Sequence, residues 1–192
     1  MENFFNIANG VDVNRLMLAI HRHEKDSQIW KDDTYLRDYP QGPFGDCESI
    51  ILRFPPRTVH ETEEALKEFN TTFDQHECVD QDVFKLLPEA RPLIFALMTY
   101  AAGERLGRVI INKVKPGGVI YPHADTPAHA KYYDRFHIVL KSSPGVVFRC
   151  GSEKVYMETG SSWWFNNALE HEVINNSADD RIHMVIDIRT SK

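Results

Sequence analysis

Apolar positions in the first half of the chain recur with a helical period. Val13, Leu16, Met17 and Ile20 fall at i, i+3, i+4 and i+7, and Asp12 stands where a helix N-cap would. A second helix is predicted from Thr62 to Asn70, led by acidic residues that suit a helix N-terminus. A third segment runs from Asp82 to Ala102. Pro88 and Pro92 split it into a short turn and a longer helix ending near Gly103. One strand, Glu48–Phe54, lies among these helices, bounded by Gly45 and by Pro55-Pro56.

From Arg105 onward the period shortens to that of strands. The β-rich runs are Leu106–Val114, Val119–Tyr121, Arg135–Leu140, Val146–Arg149, Lys154–Met157, Ser161–Phe165, His171–Ile174 and Arg181–Ile188. Turn chemistry separates them, as in Pro116-Gly117-Gly118, Ser142-Ser143-Pro144-Gly145 and Asn175-Asn176-Ser177. About eight closely spaced strands predict a sandwich, barrel or jelly roll, and no intervening helix supports a parallel sheet. The expected arrangement is mainly β with N-terminal helices packed outside. Residues 1–104 form the helical part with one strand, and 105–192 the β core of a single domain.

Composition agrees with this picture. Of 192 residues, 42% are hydrophobic and 26% charged, which excludes a disordered, collagen-like or coiled-coil chain. A net charge of −6 argues against a nucleic-acid groove or an anionic membrane as partner. Cys47, Cys78 and Cys150 have no close spacing, so they predict reduced thiols in a cytoplasm rather than a disulfide framework. The opening residues show no basic segment leading into an apolar run, so no signal peptide is expected. The longest apolar stretch, Pro92–Ala102, is too short to span a bilayer.

The nine histidines carry the candidate chemistry. His123 and Asp125 stand at i and i+2 at a strand end, so they share a face. His171 opens another strand 46 residues later. Two histidines and a carboxylate make the facial triad that holds non-haem Fe(II) and leaves positions open. A His-x-Asp pair alone carries little weight, because a chain with this many histidines contains one by chance. Arg181 follows His171 across the Asn175–Asp180 turn, on a neighbouring antiparallel strand. There Arg181, His183, Val185 and Asp187 share one face, and Ile182, Met184, Ile186 and Ile188 the other. Arg135, His137 and Val139 repeat the arrangement, opposite Phe136, Ile138 and Leu140. Two strands aiming basic groups one way predict a pocket for an anionic small molecule beside a metal. The alternative is a set of half-exposed strand residues in solvent. Thr126–Asp134 reads as a mobile lid or a plain connection, Trp163-Trp164 as barrel wall, and His21, His23, His60 and His76 as solvated.

Gly118–Asp125, Arg135-Phe136-His137, Phe165–Val173, Asn175, and Arg181 leading into Met184–Ile188 together resemble the aspartyl/asparaginyl β-hydroxylase family. The resemblance implies a double-stranded β-helix, a cupin-like jelly roll, and an Fe(II)- and 2-oxoglutarate-dependent dioxygenase. Such an enzyme uses O2, hydroxylates an aspartyl/asparaginyl residue, amino acid or related small substrate, and releases succinate and CO2. It implies His123 and His171 as metal ligands, joined by Asp125, which the animal members lack and bacterial relatives keep. It gives Arg181 to the distal carboxylate of 2-oxoglutarate, with Arg135, His137 and Asn112 as further cosubstrate contacts. The expected partner is a small-molecule or peptide substrate. A non-catalytic cupin-like binding protein and a zinc-dependent hydrolase remain the alternatives.

Overall fold

The computed structural model describes residues 1–57, 62–72 and 74–191. The described residues form eleven strands and six helices. The strands are β1 (Phe4–Ala8), β2 (Cys47–Phe54), β3 (Val79–Asp80), β4 (Gly103–Val114), β5 (Val119–His123), β6 (Asp134–Lys141), β7 (Val146–Cys150), β8 (Glu153–Val155), β9 (Ser162–Phe165), β10 (His171–Asn175) and β11 (Arg181–Thr190). The helices are α1 (Asn14–Asp26), α2 (Tyr35–Asp38), α3 (Glu63–Thr72), α4 (Val83–Leu86), α5 (Ala90–Tyr100) and α6 (Pro127–Tyr132).

The strands make two antiparallel sheets. One has seven strands in the order β1-β9-β6-β11-β4-β2-β3, and the other four in the order β5-β10-β7-β8. Alternation along the strands builds three layers. Ile182, Met184, Ile186 and Ile188 of β11 turn outward and pack with Phe136, Ile138 and Leu140 of β6. Leu16 and Ile20 of α1 and Ile94 and Leu97 of α5 cover that face. Between the sheets lie Phe4, Val114, Val139, Phe148, Phe165 and Val173. Each large aliphatic side chain buried this way contributes about 1.5–3 kcal/mol. The fold is thus a jelly roll with its helices outside, as the hydrophobic pattern predicts.

Four local expectations change. Asp12 accepts a hydrogen bond from the Asn14 backbone at 3.0 Å, but Val13 is the N-cap residue and no side chain caps α1. The Thr126–Asp134 segment contains a helix, α6, started by Pro127 in its first turn. Strands β1 and β3 were not expected. β1 pairs along β9, with Phe4 opposite Phe165, and β3 pairs only Asp80 and Val79 with the end of β2. His76 is not solvated: its ring stacks on Tyr132 with centroids 4.0 Å apart. His23 meets the Leu86 carbonyl at 3.0 Å, and His21 is exposed. His60 lies outside the described residues. Trp163 and Trp164 form barrel wall, pairing with β1 on one side and β6 on the other. All three cysteines are buried and free. Among the described residues no helix is long and apolar enough to cross a membrane.

Candidate active site

His171 and His123 face each other across the β10–β5 pair, with ring centroids 4.3 Å apart. The chain then turns out of β5 and returns Asp125 to the same point, held by its backbone N–H on the Asn167 carbonyl at 3.2 Å. One ligand atom from each of His123, Asp125 and His171 lies within 4.8 Å of the others. Both rings are oriented by backbone. His123 Nδ1 donates to the Tyr121 carbonyl at 2.7 Å, and His171 Nδ1 donates to that of Leu169 at 2.9 Å. That fixes the tautomer and leaves each Nε2 as a lone-pair donor. Burial keeps both rings neutral: His123 lies below its ordinary value and His171 is pushed down to about 4. Neutral imidazoles with free Nε2 atoms and a carboxylate are a donor set suited to a divalent metal.

Asp125 is a carboxylate. Burial would raise its pKa, but the Arg135 guanidinium overrides this and holds it below the usual range. Arg135 Nη1 donates to Asp125 Oδ1 at 2.9 Å and lies 2.8 Å from Oδ2, to which Asn167 Nδ2 donates at 2.7 Å. Arg135 is itself fixed from behind. Its Nε donates to Asp187 Oδ1 at 2.7 Å and its Nη2 to Asp187 Oδ2 at 3.1 Å. The second oxygen of Asp187 also meets His129 Nε2 of α6 at 2.9 Å. All three guanidinium nitrogens of Arg135 are therefore engaged by protein. This sets Arg135 apart from the cosubstrate contact expected of it: it lines the cavity, but its donors point at Asp125 and Asp187.

Arg181 is the opposite case. It is 1% exposed, and among the described residues no carboxylate meets it. Its Nη2 donates to His183 Nδ1 at 2.9 Å, while Nε and Nη1 have no hydrogen-bond partner. Burial without an anion pushes its pKa down to about 9. An unpaired buried guanidinium is costly, and its two orphaned donors are suited to an anion. His137 lies beside it, its Nδ1 3.2 Å from His183 Nδ1. Asn112 is buried on β4, its Oδ1 accepting the Ser49 hydroxyl at 2.8 Å. His123, Asp125, His171, Arg181, His137, Asn112 and Arg135 all line one cavity of about 410 Å3 between the sheets. The structure thus brings together every site residue expected from the sequence. It adds Asp187, His129, His183 and Asn167. Asp187 and His183 share the inward face of β11 with Arg181, a signal present in the alternation. The pairing of His129 with Asp187 spans 58 positions and left no local trace.

The fold is a cupin-like jelly roll with a His/Asp/His cluster and an unpaired buried arginine lining one cavity. The chain belongs to the aspartyl/asparaginyl beta-hydroxylase family, whose model matches residues 56–191, and is with that family an oxidoreductase. Solved structures share the fold. A 2OG-Fe(II) oxygenase family oxidoreductase from Burkholderia pseudomallei aligns over 98% of this chain and 84% of its own, at 16% identity and TM-score 0.50. The viral collagen prolyl hydroxylase of Paramecium Bursaria Chlorella virus-1, solved with 2OG, aligns over 99% and 97%, at 13% identity and TM-score 0.51. A prolyl-4-hydroxylase from Pseudomonas putida aligns over 99% and 94%, at 11% identity and TM-score 0.50. No curated protein sequence matches the chain significantly.

Proposed function

We propose that the protein is an Fe(II)- and 2-oxoglutarate-dependent dioxygenase that hydroxylates a small substrate and releases succinate and CO2. His123 Nε2, His171 Nε2 and the Asp125 carboxylate hold the iron, and Arg181 receives the distal carboxylate of 2-oxoglutarate. Bound iron and cosubstrate supply the O2-dependent oxidation. The chain's own residues do the rest. Asn112 and His137 shape the cosubstrate's side of the cavity. Arg135 positions Asp125 and keeps it ionised, with Asp187 and His129 behind it. Phe148, Phe165 and Val173 exclude water from the shared wall. Residues 1–104 belong to the same working domain, because β2 carries Ser49, the partner of Asn112.

The observation that carries this reading is Arg181, buried with Nε and Nη1 unpartnered. A zinc hydrolase has no use for such a cation, and a passive barrel has no reason to bear its cost. The test is turnover of 2-oxoglutarate. With Fe(II) and O2 present, the protein is expected to form succinate, and His171→Ala is expected to abolish it. Absence of succinate from the iron-loaded protein across a panel of amino acids, peptides and small acids would refute the reading.

A further inference from the structure

The inner face of β4 carries a second basic residue that the reaction above does not use. Arg108 stands two positions from Ile110 and four from Asn112, and all three line the same cavity. Its guanidinium lies over the Phe54 ring, with Cζ 5.1 Å from the centroid. Its Nε is buried without a hydrogen-bond partner, and among the described residues no carboxylate pairs with it. A guanidinium is charged at any ordinary pH, so this site also lacks an anion.

Around Arg108 the cavity mouth is apolar. Tyr35, Leu36 and Tyr39 of the α2 region, Pro43, Phe44 and Phe54 form its wall. The rings contact one another: Tyr35 meets Phe54 edge-on at 5.7 Å, and Phe44 meets the His123 ring at 5.6 Å. Aromatic rings thus stand at both places in the lining: Phe54 and Tyr35 at Arg108, and Phe44 at the metal-side histidine. Tyr39 remains 57% exposed, while Tyr35, 42% exposed, carries the Arg57 guanidinium over its ring with Cζ 5.1 Å from the centroid. The carboxylates lining the cavity are Asp125 and Asp187, and both are held by Arg135. Among the described residues no acidic side chain of the lining is left to receive an ammonium group.

We propose that Arg108 binds the carboxylate of the hydroxylated substrate, a small monoanionic acid with an aromatic or aliphatic body and no ammonium group beside that carboxylate. The proposal rests on the dioxygenase reading, and charge counting within that reading supports it. Arg135 and Asp187 cancel. A divalent iron, the Asp125 carboxylate, the Arg181 cation and a 2-oxoglutarate dianion sum to zero. Among the described residues Arg108 is then the lining cation without a counterion, and a single negative charge on the substrate completes the balance. The carboxylate sits at the mouth, and the body lies along the rings toward His123, which presents a carbon away from the acid group to the metal.

The test is anaerobic calorimetry on the Fe(II)-loaded protein. 2-Oxoglutarate is titrated first, and then 3-phenylpropionate, hexanoate and octanoate, each against its neutral amide. The parent protein is expected to bind at least one acid about tenfold or more tightly than its amide, as an arginine–carboxylate contact at half-burial requires. Arg108→Met keeps a flexible apolar chain over Phe54 and is expected to erase that preference, while Arg108→Lys keeps part of it. Equal binding of acid and amide by the parent, binding of no acid, or a preference that survives Arg108→Met would overturn the proposal. Failure of 2-oxoglutarate to bind in the first titration would instead refute the dioxygenase reading. The comparison of parent with Arg108→Met, made on the iron-loaded protein alone, would still decide the role of Arg108.

Discussion

The arginine clamp depends on the protonation of a histidine beside it. Arg181 can only donate, so His183 Nδ1, 2.9 Å from Arg181 Nη2, carries no hydrogen. His137 Nδ1, 3.2 Å from the same atom, must then supply the hydrogen of that contact. Burial, and after it the Arg181 charge, holds both rings well below the ordinary histidine value, so both are neutral. His183 thus orients the guanidinium and leaves Nε and Nη1 without a partner. His183→Leu would orphan a further buried donor, which costs about 1–3 kcal/mol, or roughly 5- to 150-fold in affinity. The 2-oxoglutarate dissociation constant is expected to rise by that factor, with His183→Asn recovering part, and iron affinity is expected to hold. An unchanged 2-oxoglutarate titration in His183→Leu would remove His183 from the clamp.

At the scale of elements, the strands show what the sequence makes legible. Alternation in β11 and β6 separates a helix-facing side from a cavity-facing side without reference to any partner. The short elements are different. β3 has two residues and pairs only with the end of β2, so its strand character comes from its neighbour. β1 is stabilised by its register along β9, a pairing across roughly 160 positions that no local pattern carries. The helix α6 had a signal in Thr126-Pro127, but its six residues show no periodicity. It is tied to the barrel by side chains. His129 meets Asp187, and the Tyr132 hydroxyl accepts from Arg105 and Arg189, each at 2.9 Å. Gly107 explains how the chain after α6 can lie so close to β4. A Cβ there would stand 2.7 Å from two ring carbons of Tyr133 and 3.1 Å from the Cβ of Asp187. A glycine inside a strand marks such a close approach. Gly107→Ala is expected to push Tyr133 off β4, to destabilise the protein by about 1–3 kcal/mol, and to weaken iron binding through Asp187 and Arg135. Urea denaturation and a metal titration measure the two effects. A variant as stable as the parent would contradict the packing argument.

At the scale of the whole molecule, five of the nine histidines are held toward the neutral form. His76, His123, His137, His171 and His183 all lie below their ordinary value of 6.5, burial being the first cause for each. The sign of the effect follows. Above pH 6.5 these rings are neutral in the folded and unfolded chain alike, and stability is at its full value. Below it the unfolded chain takes up protons that the folded chain refuses, so stability falls as pH drops toward about 4, the value for His171. Asp187, whose carboxyl Arg135 and His129 hold low against its burial, protects the fold throughout this window and loses its effect only at lower pH. The melting midpoint of the metal-free protein is expected to fall by several degrees between pH 7 and pH 5, roughly 2–4 °C per kcal/mol for a chain of this size. A flat profile across that interval, measured by calorimetry, would contradict the buried neutral histidines. The same neutrality keeps His123 and His171 available to a metal at mildly acidic pH, below the range in which free histidines protonate.

The central claim is that an iron site and an anion clamp share one cavity, and both can be read in one titration. 2-Oxoglutarate added under anaerobic conditions to the Fe(II)-loaded parent and to Arg181→Ala, followed by calorimetry, measures the clamp with the metal as internal control. The account predicts binding to the parent and an affinity about 30-fold to several thousand-fold lower in Arg181→Ala, the loss of a buried charge pair of about 2–5 kcal/mol, with unchanged affinity for Fe(II). Equal 2-oxoglutarate affinity in the two proteins would contradict it.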